Sequence, residues 1–299
     1  MDAKFSHQAL AKLSNLSREK VDDFAATWPA LPLEERRRVV RTLAEMAQDN
    51  VELNYNELFL RMLGDVDPEV RSAAIEGLWE DDRASTADKL IGLARTDPSD
   101  EVRAAAFDGI GRFALRVSLG ELHSGVAGRV RQVLVDHVGQ NTPAALRRRA
   151  LEASGYLDEE PFKGAIETAF ASTDPSMRAG AIRAMGRSCD ERWFPTILRE
   201  MESEDPELRF EAVRAAGEME DERAVVKVVD RLEDDDTQVR LAAVGALGAI
   251  GGPRARRALQ QVRAQGDDDA MVEAAETALD ELEVVSDPLG VRVREVEKN

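Results

Sequence analysis

The stretch Asp67-Pro68-Glu69-Val70-Arg71-Ser72-Ala73-Ala74-Ile75 returns in outline at 174–182, 205–213 and 236–244. Its arginine recurs as Arg71, Arg103, Arg147, Arg178, Arg209 and Arg240, and an alanine always follows three residues later. With Val272 as a seventh matching position, five of the six spacings are 31 or 32 residues and one is 44. A period of that length marks a stack of supersecondary units, each resting on its neighbours, and not a single closed core.

With each arginine as position zero, position −1 holds Val70, Val102, Leu146, Met177, Leu208 and Val239. Position +4 holds Ile75, Phe107, Leu151, Ile182, Val213 and Val244, and +7 holds Leu78, Ile110, Ser154, Met185, Ala216 and Leu247. With the +3 alanines these make one apolar stripe at helical spacing, and the small +3 side chain permits close helix contact. The pairs Asp67-Pro68, Asp174-Pro175 and Asp205-Pro206 read as helix starts, with Asp97-Pro98 and Thr142-Pro143 repeating the device. Glycines at +8 (Gly111, Gly155, Gly186, Gly217 and Gly248) read as left-handed helix stops, a series that Trp79 interrupts.

A second helix is expected before each of these, at 87–94, 162–171, 193–202, 224–232 and 253–262. Arg36 with Val39, Val40 and Leu43 extends the frame backwards to a unit at 17–50; Val272, Ala275 and Leu279 extend it forwards. About eight units result. The stretch 115–141 carries the 13-residue surplus, expected as an enlarged first helix or a surface loop. The chain divides into N-terminal helices with an atypical capping repeat at 1–50, a repeat array at 51–283, and an extended tail at 284–299.

Composition narrows the function classes. The net charge of −18 over 299 residues argues against nucleic acid and anionic membranes as partners. One cysteine, Cys189, near the end of an apolar helix pattern, reads as a buried inert thiol in a reducing compartment. The first residues show no signal-peptide pattern and no run approaches the length of a membrane span, so a cytoplasmic protein is expected.

The repeated Asp-Pro-x-Val-Arg-x-Ala-Ala string resembles the HEAT repeat, and most closely the short-period form found in phycobilisome lyases. The resemblance covers roughly 50–283 and implies an all-α, right-handed, armadillo-like α-solenoid whose second helices line a concave side. It also implies an aspartate–arginine ladder between units: Asp67 with Arg71, Asp174 with Arg178, Asp205 with Arg209, and Asp236 with Arg240. Arg103 and Arg147 occupy the same position, although Thr142 replaces the aspartate before Arg147. An arginine in a first helical turn opposes the helix dipole and so calls for a nearby carboxylate.

Enzymes built on such repeats carry residue patterns that this chain lacks. Deoxyhypusine hydroxylase uses paired His-Glu motifs, but the three histidines here are followed by Gln8, Ser124 and Val138. HEAT-like DNA glycosylases use a basic face; Arg36-Arg37-Arg38 and Arg147-Arg148-Arg149 are local clusters in an acidic chain. Bilin lyases bind a flat tetrapyrrole, for which Trp79, Tyr156 and Trp193 are few, and these aromatics suit spaces between units. No catalytic residue, metal or cofactor is therefore assigned.

The expected function is a non-catalytic protein-binding scaffold or adaptor acting as a monomer or weak homodimer. The alternative is a lyase-like or chaperone-like accessory factor for a cofactor-bearing protein. Residues 200–240 hold fifteen Asp and Glu against six Arg and Lys. Glu202, Glu204, Glu220, Asp221, Glu222, Glu233, Asp234 and Asp235 fall at three turns, expected to stack into one negative ridge for a basic partner, with Asp236 reserved as a helix cap. Phe210 and Leu241 are apolar at a +1 position, where solvent is expected, and mark the alternative contact surface.

Overall fold

The apolar stripe becomes the core: all 24 residues at −1, +3, +4 and +7 are at most 3% exposed. Full burial of each large aliphatic among them contributes roughly 1.5–3 kcal/mol. The computed structural model describes residues 6–265 and 268–286, and every regular element among them is helical. A short α1 (His7–Ala11) precedes four helical pairs in a first unit that ends at Leu157: α2 (Arg18–Thr27) with α3 (Leu33–Asp49), α4 (Asn56–Met62) with α5 (Pro68–Gly77), α6 (Ala84–Thr96) with α7 (Asp100–Ser118), and α8 (Ser124–His137) with α9 (Ala144–Ser154). The second unit, from Asp158, holds four more: α10 (Glu160–Phe170) with α11 (Pro175–Ser188), α12 (Phe194–Glu200) with α13 (Pro206–Met219), α14 (Val225–Asp230) with α15 (Thr237–Ile250), and α16 (Gly252–Gln265) with α17 (Asp269–Ser286).

Each unit is a stack in which second helices pack on second helices: α3, α5, α7 and α9 in one, and α11, α13, α15 and α17 in the other. The chain is thus an α-solenoid of helical hairpins, eight among the described residues. The 13-residue surplus is helical, not looped. It lengthens α7 to 19 residues and supplies α8 as a 14-residue first helix. The expected tail starts too early, since α17 continues to Ser286; 287–299 lie outside the described residues.

The caps follow the sequence in part. Asp67, Asp174, Asp205 and Asp236 accept from backbone N–H groups of Val70, Ser176, Glu207 and Gln238 respectively. The other two proline signals do not start helices in this way. Asp97 closes α6 while α7 begins at Asp100, and α9 begins at Ala144 without a side-chain cap from Thr142.

The +8 glycines have a different purpose from the one their local pattern suggests. Gly111, Gly186, Gly217 and Gly248 lie inside helices, and Gly155 has a right-handed φ of −54°. The left-handed positions after α11 and α13 belong to Cys189 (φ 48°) and Glu220 (φ 51°). A Cβ on Gly186 would stand 2.5 Å from the Cα of Ala215, and one on Gly217 would stand 2.9 Å from the Cα of Ala246. Missing side chains, facing alanines, let successive second helices touch backbone to backbone.

Gly186→Ala is therefore expected to lose about 1–3 kcal/mol through overpacking, despite alanine's better helix propensity. Gly245→Ala, in α15 with nothing within 4 Å, is expected to gain about 0.5–1 kcal/mol. Urea titration of both variants checks the pair, and shifts of the same sign would contradict a tight seam.

Candidate partner-binding surface

The repeat arginines reach forward to the following pair, not back to their own cap. Arg209 donates Nε and Nη2 to Asp234 at 2.8 and 2.7 Å, and Nη1 to the carbonyls of Ser203 and Glu204 at 2.9 and 3.1 Å. Arg71 repeats this geometry on Asp97 (2.8 and 2.6 Å) and on the carbonyls of Asp65 and Val66. Arg36 pairs with Asp65, Arg178 with Glu200 at 2.9 Å, and Arg240 with Asp268 at 3.8 Å. The pairings expected from the resemblance, Asp67–Arg71, Asp174–Arg178, Asp205–Arg209 and Asp236–Arg240, are thus corrected. Those aspartates are occupied by backbone N–H groups at helix starts, and Asp67 also pairs with Arg37 at 2.7 Å.

Two positions make no forward rung. Arg103 bonds the Ala94 carbonyl at 3.0 Å and Asp100 at 3.2 Å, because the next turn (Gly139-Gln140-Asn141-Thr142) offers no carboxylate. Arg147 reaches the Gln140 carbonyl at 3.5 Å.

A second ladder, on the opposite edge, escaped the sequence reading. Its signal is Asp-x-Arg after a second helix, at 81–83, 190–192 and 221–223. Each aspartate accepts the backbone N–H two residues on, at 3.1, 3.0 and 2.8 Å, and holds the guanidinium of the same arginine. Arg83 also reaches back to Glu57, Arg192 to Glu167 at 3.8 Å, and Arg223 to Glu191 at 3.6 Å. Burial pushes the Asp81 carboxyl up, but the Arg83 side-chain and backbone hydrogen bonds outweigh it and hold the group below the usual range.

The acidic turns divide between these two edges. Glu202, Glu204, Glu233 and Asp235 lie in turns from a first to a second helix and are exposed; Glu202 is bonded to Lys227. Glu220, Asp221 and Glu222 lie in a turn from a second to a first helix, at the other end of the antiparallel pair. The single ridge is therefore corrected to two separate edges. Asp234 leaves the docking set altogether: it is 8% exposed and serves Arg209, Arg231 and the Asp236 N–H. The Arg209 hydrogen bond, against the opposing effect of burial, holds its carboxyl below the usual range.

On the second-helix face, Phe210 and Leu241 are half-buried, with the Arg214 guanidinium 5.5 Å from the Phe210 ring centre. Ala104 and Arg148 are also half-buried, while Ala179 is fully buried. Arg149 and Arg148 both hold the buried Glu152, at 3.2 and 2.7 Å. Of the aromatics, Trp193 is buried, Tyr156 half-buried, and Trp79 37% exposed. Cys189 is exposed, contrary to the expected buried thiol, because it is the left-handed residue closing α11. Desolvation of its sulfur, with the charges of Glu218 and Glu220, pushes the thiol up. Among the described residues no His, Cys, Asp and Glu group is placed to hold a metal, and His123 caps α8. No helix is long and apolar enough to cross a membrane among these residues.

The HEAT-repeat family profile matches this stack at 32–111, 55–155, 162–240 and 194–280. The chain belongs to the HEAT-repeat family. Similar solved structures include the complex of CpcE and CpcF of phycocyanin lyase from Nostoc sp., at 17% identity over 76% of this chain and 94% of that one, TM-score 0.49. Human deoxyhypusine hydroxylase in complex with glycerol matches at 19% identity over 89% and 96%, TM-score 0.39. Importin beta matches at 14% over 92% and 44%, TM-score 0.44. No curated protein matches the sequence.

Side-chain exposures of 14% and 3% make Arg209–Asp234 the test rung. Arg209→Ala is expected to cost about 3 kcal/mol, because Asp234 would be left buried without its cation. Asp236→Ala, removing a cap, should cost about 1 kcal/mol. Because the folded-state pKa of Asp234 is depressed, the stability it contributes is present above its unfolded pKa and lost as pH falls through the folded value. Arg209→Ala should weaken that acid dependence, and denaturant titration between pH 3 and 7 measures both effects.

Proposed function

We propose that the protein is a non-catalytic scaffold that docks a basic protein segment on the first-to-second-helix edge of its second unit. The observation that carries this reading is what remains after the ladders and caps are assigned. Glu204, Glu233 and Asp235 are exposed on successive turns of one edge, and their side chains hold no rung. Stacked turns bring like charges together, which raises the local potential and speeds the encounter with a cation-rich partner. Phe210 and Leu241 offer less, being half-buried within the second-helix layer. The reading as an accessory factor for a cofactor-bearing protein has no comparable convergence, since Trp79, Tyr156 and Trp193 belong to different helical pairs.

The experiment is parallel capture from native lysate by the wild-type chain and a Glu204→Gln, Glu233→Gln, Asp235→Asn variant, followed by association kinetics with the partner recovered. The variant is expected to keep its melting temperature and to associate about tenfold more slowly at low salt. That difference should close as the Debye length falls from about 8 Å at physiological salt to about 3 Å at 1 M. Equal association at low salt would remove this edge as the docking surface.

A further inference from the structure

The first helices of the first unit do not all pack alike. α2 rests on α4 and α6 rests on α8, but α4 and α6 make at most marginal contact. Between them runs an open trough of about 680 Å³. Its walls are two helical faces. Glu57, Leu60, Arg61 and Gly64 follow at i, i+3, i+4 and i+7 along α4 and the turn that ends it, and Lys89, Gly92 and Leu93 at i, i+3 and i+4 along α6.

The lining is apolar with one unmatched charge. Leu60 and Leu93 are half-buried and Leu63, which also lines the trough, is buried. Glu57 is held by Arg83, and Arg61 by Asp22 at 2.5 Å. Lys89 is exposed and makes no ion pair among the described residues. A free ammonium beside leucines is thus the feature of this trough, in a chain whose net charge is −18.

Gly92 adds an independent observation. It lies inside α6, where glycine weakens a helix relative to alanine. A Cβ there would meet nothing within 4 Å, so no contact within the chain calls for the glycine. Gly128, Gly164 and Gly245 are equally open in their helices, but none of them lines the trough. At Gly92 the missing side chain keeps the trough open beside Leu93, and Gly64 does the same on the facing wall.

We infer that this trough seats an acidic amphipathic helix of a partner protein, with an apolar side chain between Leu60 and Leu93 and a carboxylate on Lys89. A basic segment would set like charge against Lys89, and a purely apolar one would leave the ammonium unmatched. A helix fits the walls. The 13 residues of α6 offer about 20 Å of length, and small residues on both sides admit another helix to close approach. The site lies in the first unit, takes a partner of opposite charge, and does not rest on the docking edge proposed above.

Phage display tests this with a library of amphipathic helical peptides about four turns long, both faces randomised, selected on the full chain and counter-selected on Gly92→Leu. Peptides that bind the wild type at least tenfold more tightly than Gly92→Leu should be recovered, carrying Asp or Glu beside Leu, Ile or Phe at helical spacing. Gly92→Leu should keep or raise the melting temperature, because its side chain enters open space and leucine favours a helix; its lost binding then cannot be ascribed to unfolding. Gly128→Leu, equally open in α8, should leave binding unchanged. Lys89→Glu should weaken a recovered peptide at least tenfold, and exchanging the peptide's acidic residue for lysine should restore binding to that variant. Calorimetric titration with sodium decanoate runs alongside as the lipid-like alternative. Recovery of no Gly92-dependent peptide, selected peptides without acidic residues, equal binding to Lys89→Glu, or binding of decanoate but of no peptide would overturn the site.

Discussion

Backbone contact between successive second helices is the constraint on which the other features depend. The glycine-on-alanine seam of α11, α13 and α15 fixes the distance between neighbouring pairs. At that distance a first-turn arginine can span to the next pair's turn and grip a carboxylate with one side of its fork, leaving Nη1 for the carbonyls of its own turn. Arg71 keeps the same bidentate grip on Asp97 although Trp79 stands at its +8 position, so the charge-assisted fork also forms where the seam has no glycine at that position. The repeating charges are thus consequences of close packing, and their period carries no information about a ligand.

What could be read from the sequence follows from how local each signal is. The stripe at −1, +3, +4 and +7 is a property of one helix, so periodicity located it correctly, and the Asp caps at 67, 174, 205 and 236 are equally local. The ladder partners are not legible locally, because the nearest aspartate in sequence is engaged by backbone N–H groups. The acceptors in two rungs, Asp65 and Asp234, stand two residues before a cap, in Asp-x-Asp strings that look like ordinary acidic turns. The glycines misled for a related reason. Position +8 suggests a stop within a single helix, but its side-chain-free surface serves the next helix, which periodicity within one unit does not show.

The candidate surface was legible in composition and not in topology. Counting carboxylates between 200 and 240 finds the charge, yet successive turns of an up-and-down helix stack alternate between two edges. Glu220 and Glu222 therefore face away from Glu204 and Glu233. Asp221 and Asp234 drop out because each is held by arginine. The Asp-x-Arg ladder was present in the sequence but reads as loop polarity until its arginines are seen reaching back to Glu57, Glu167 and Glu191.

Separation of the two edges has an electrostatic consequence. A 14-residue helix such as α13 places its ends about 21 Å apart. That exceeds the Debye length of about 8 Å at physiological ionic strength. Exposed charges at one end are therefore screened from those at the other, and a partner approaching Glu204 and Glu233 gains little from Glu220 and Glu222. Affinity at either edge must come from the residues of that edge alone. Under the proposed docking, recognition would fall to the few carboxylates that neither ladder nor cap has taken, and the net charge of −18 would add little to it beyond a Debye length.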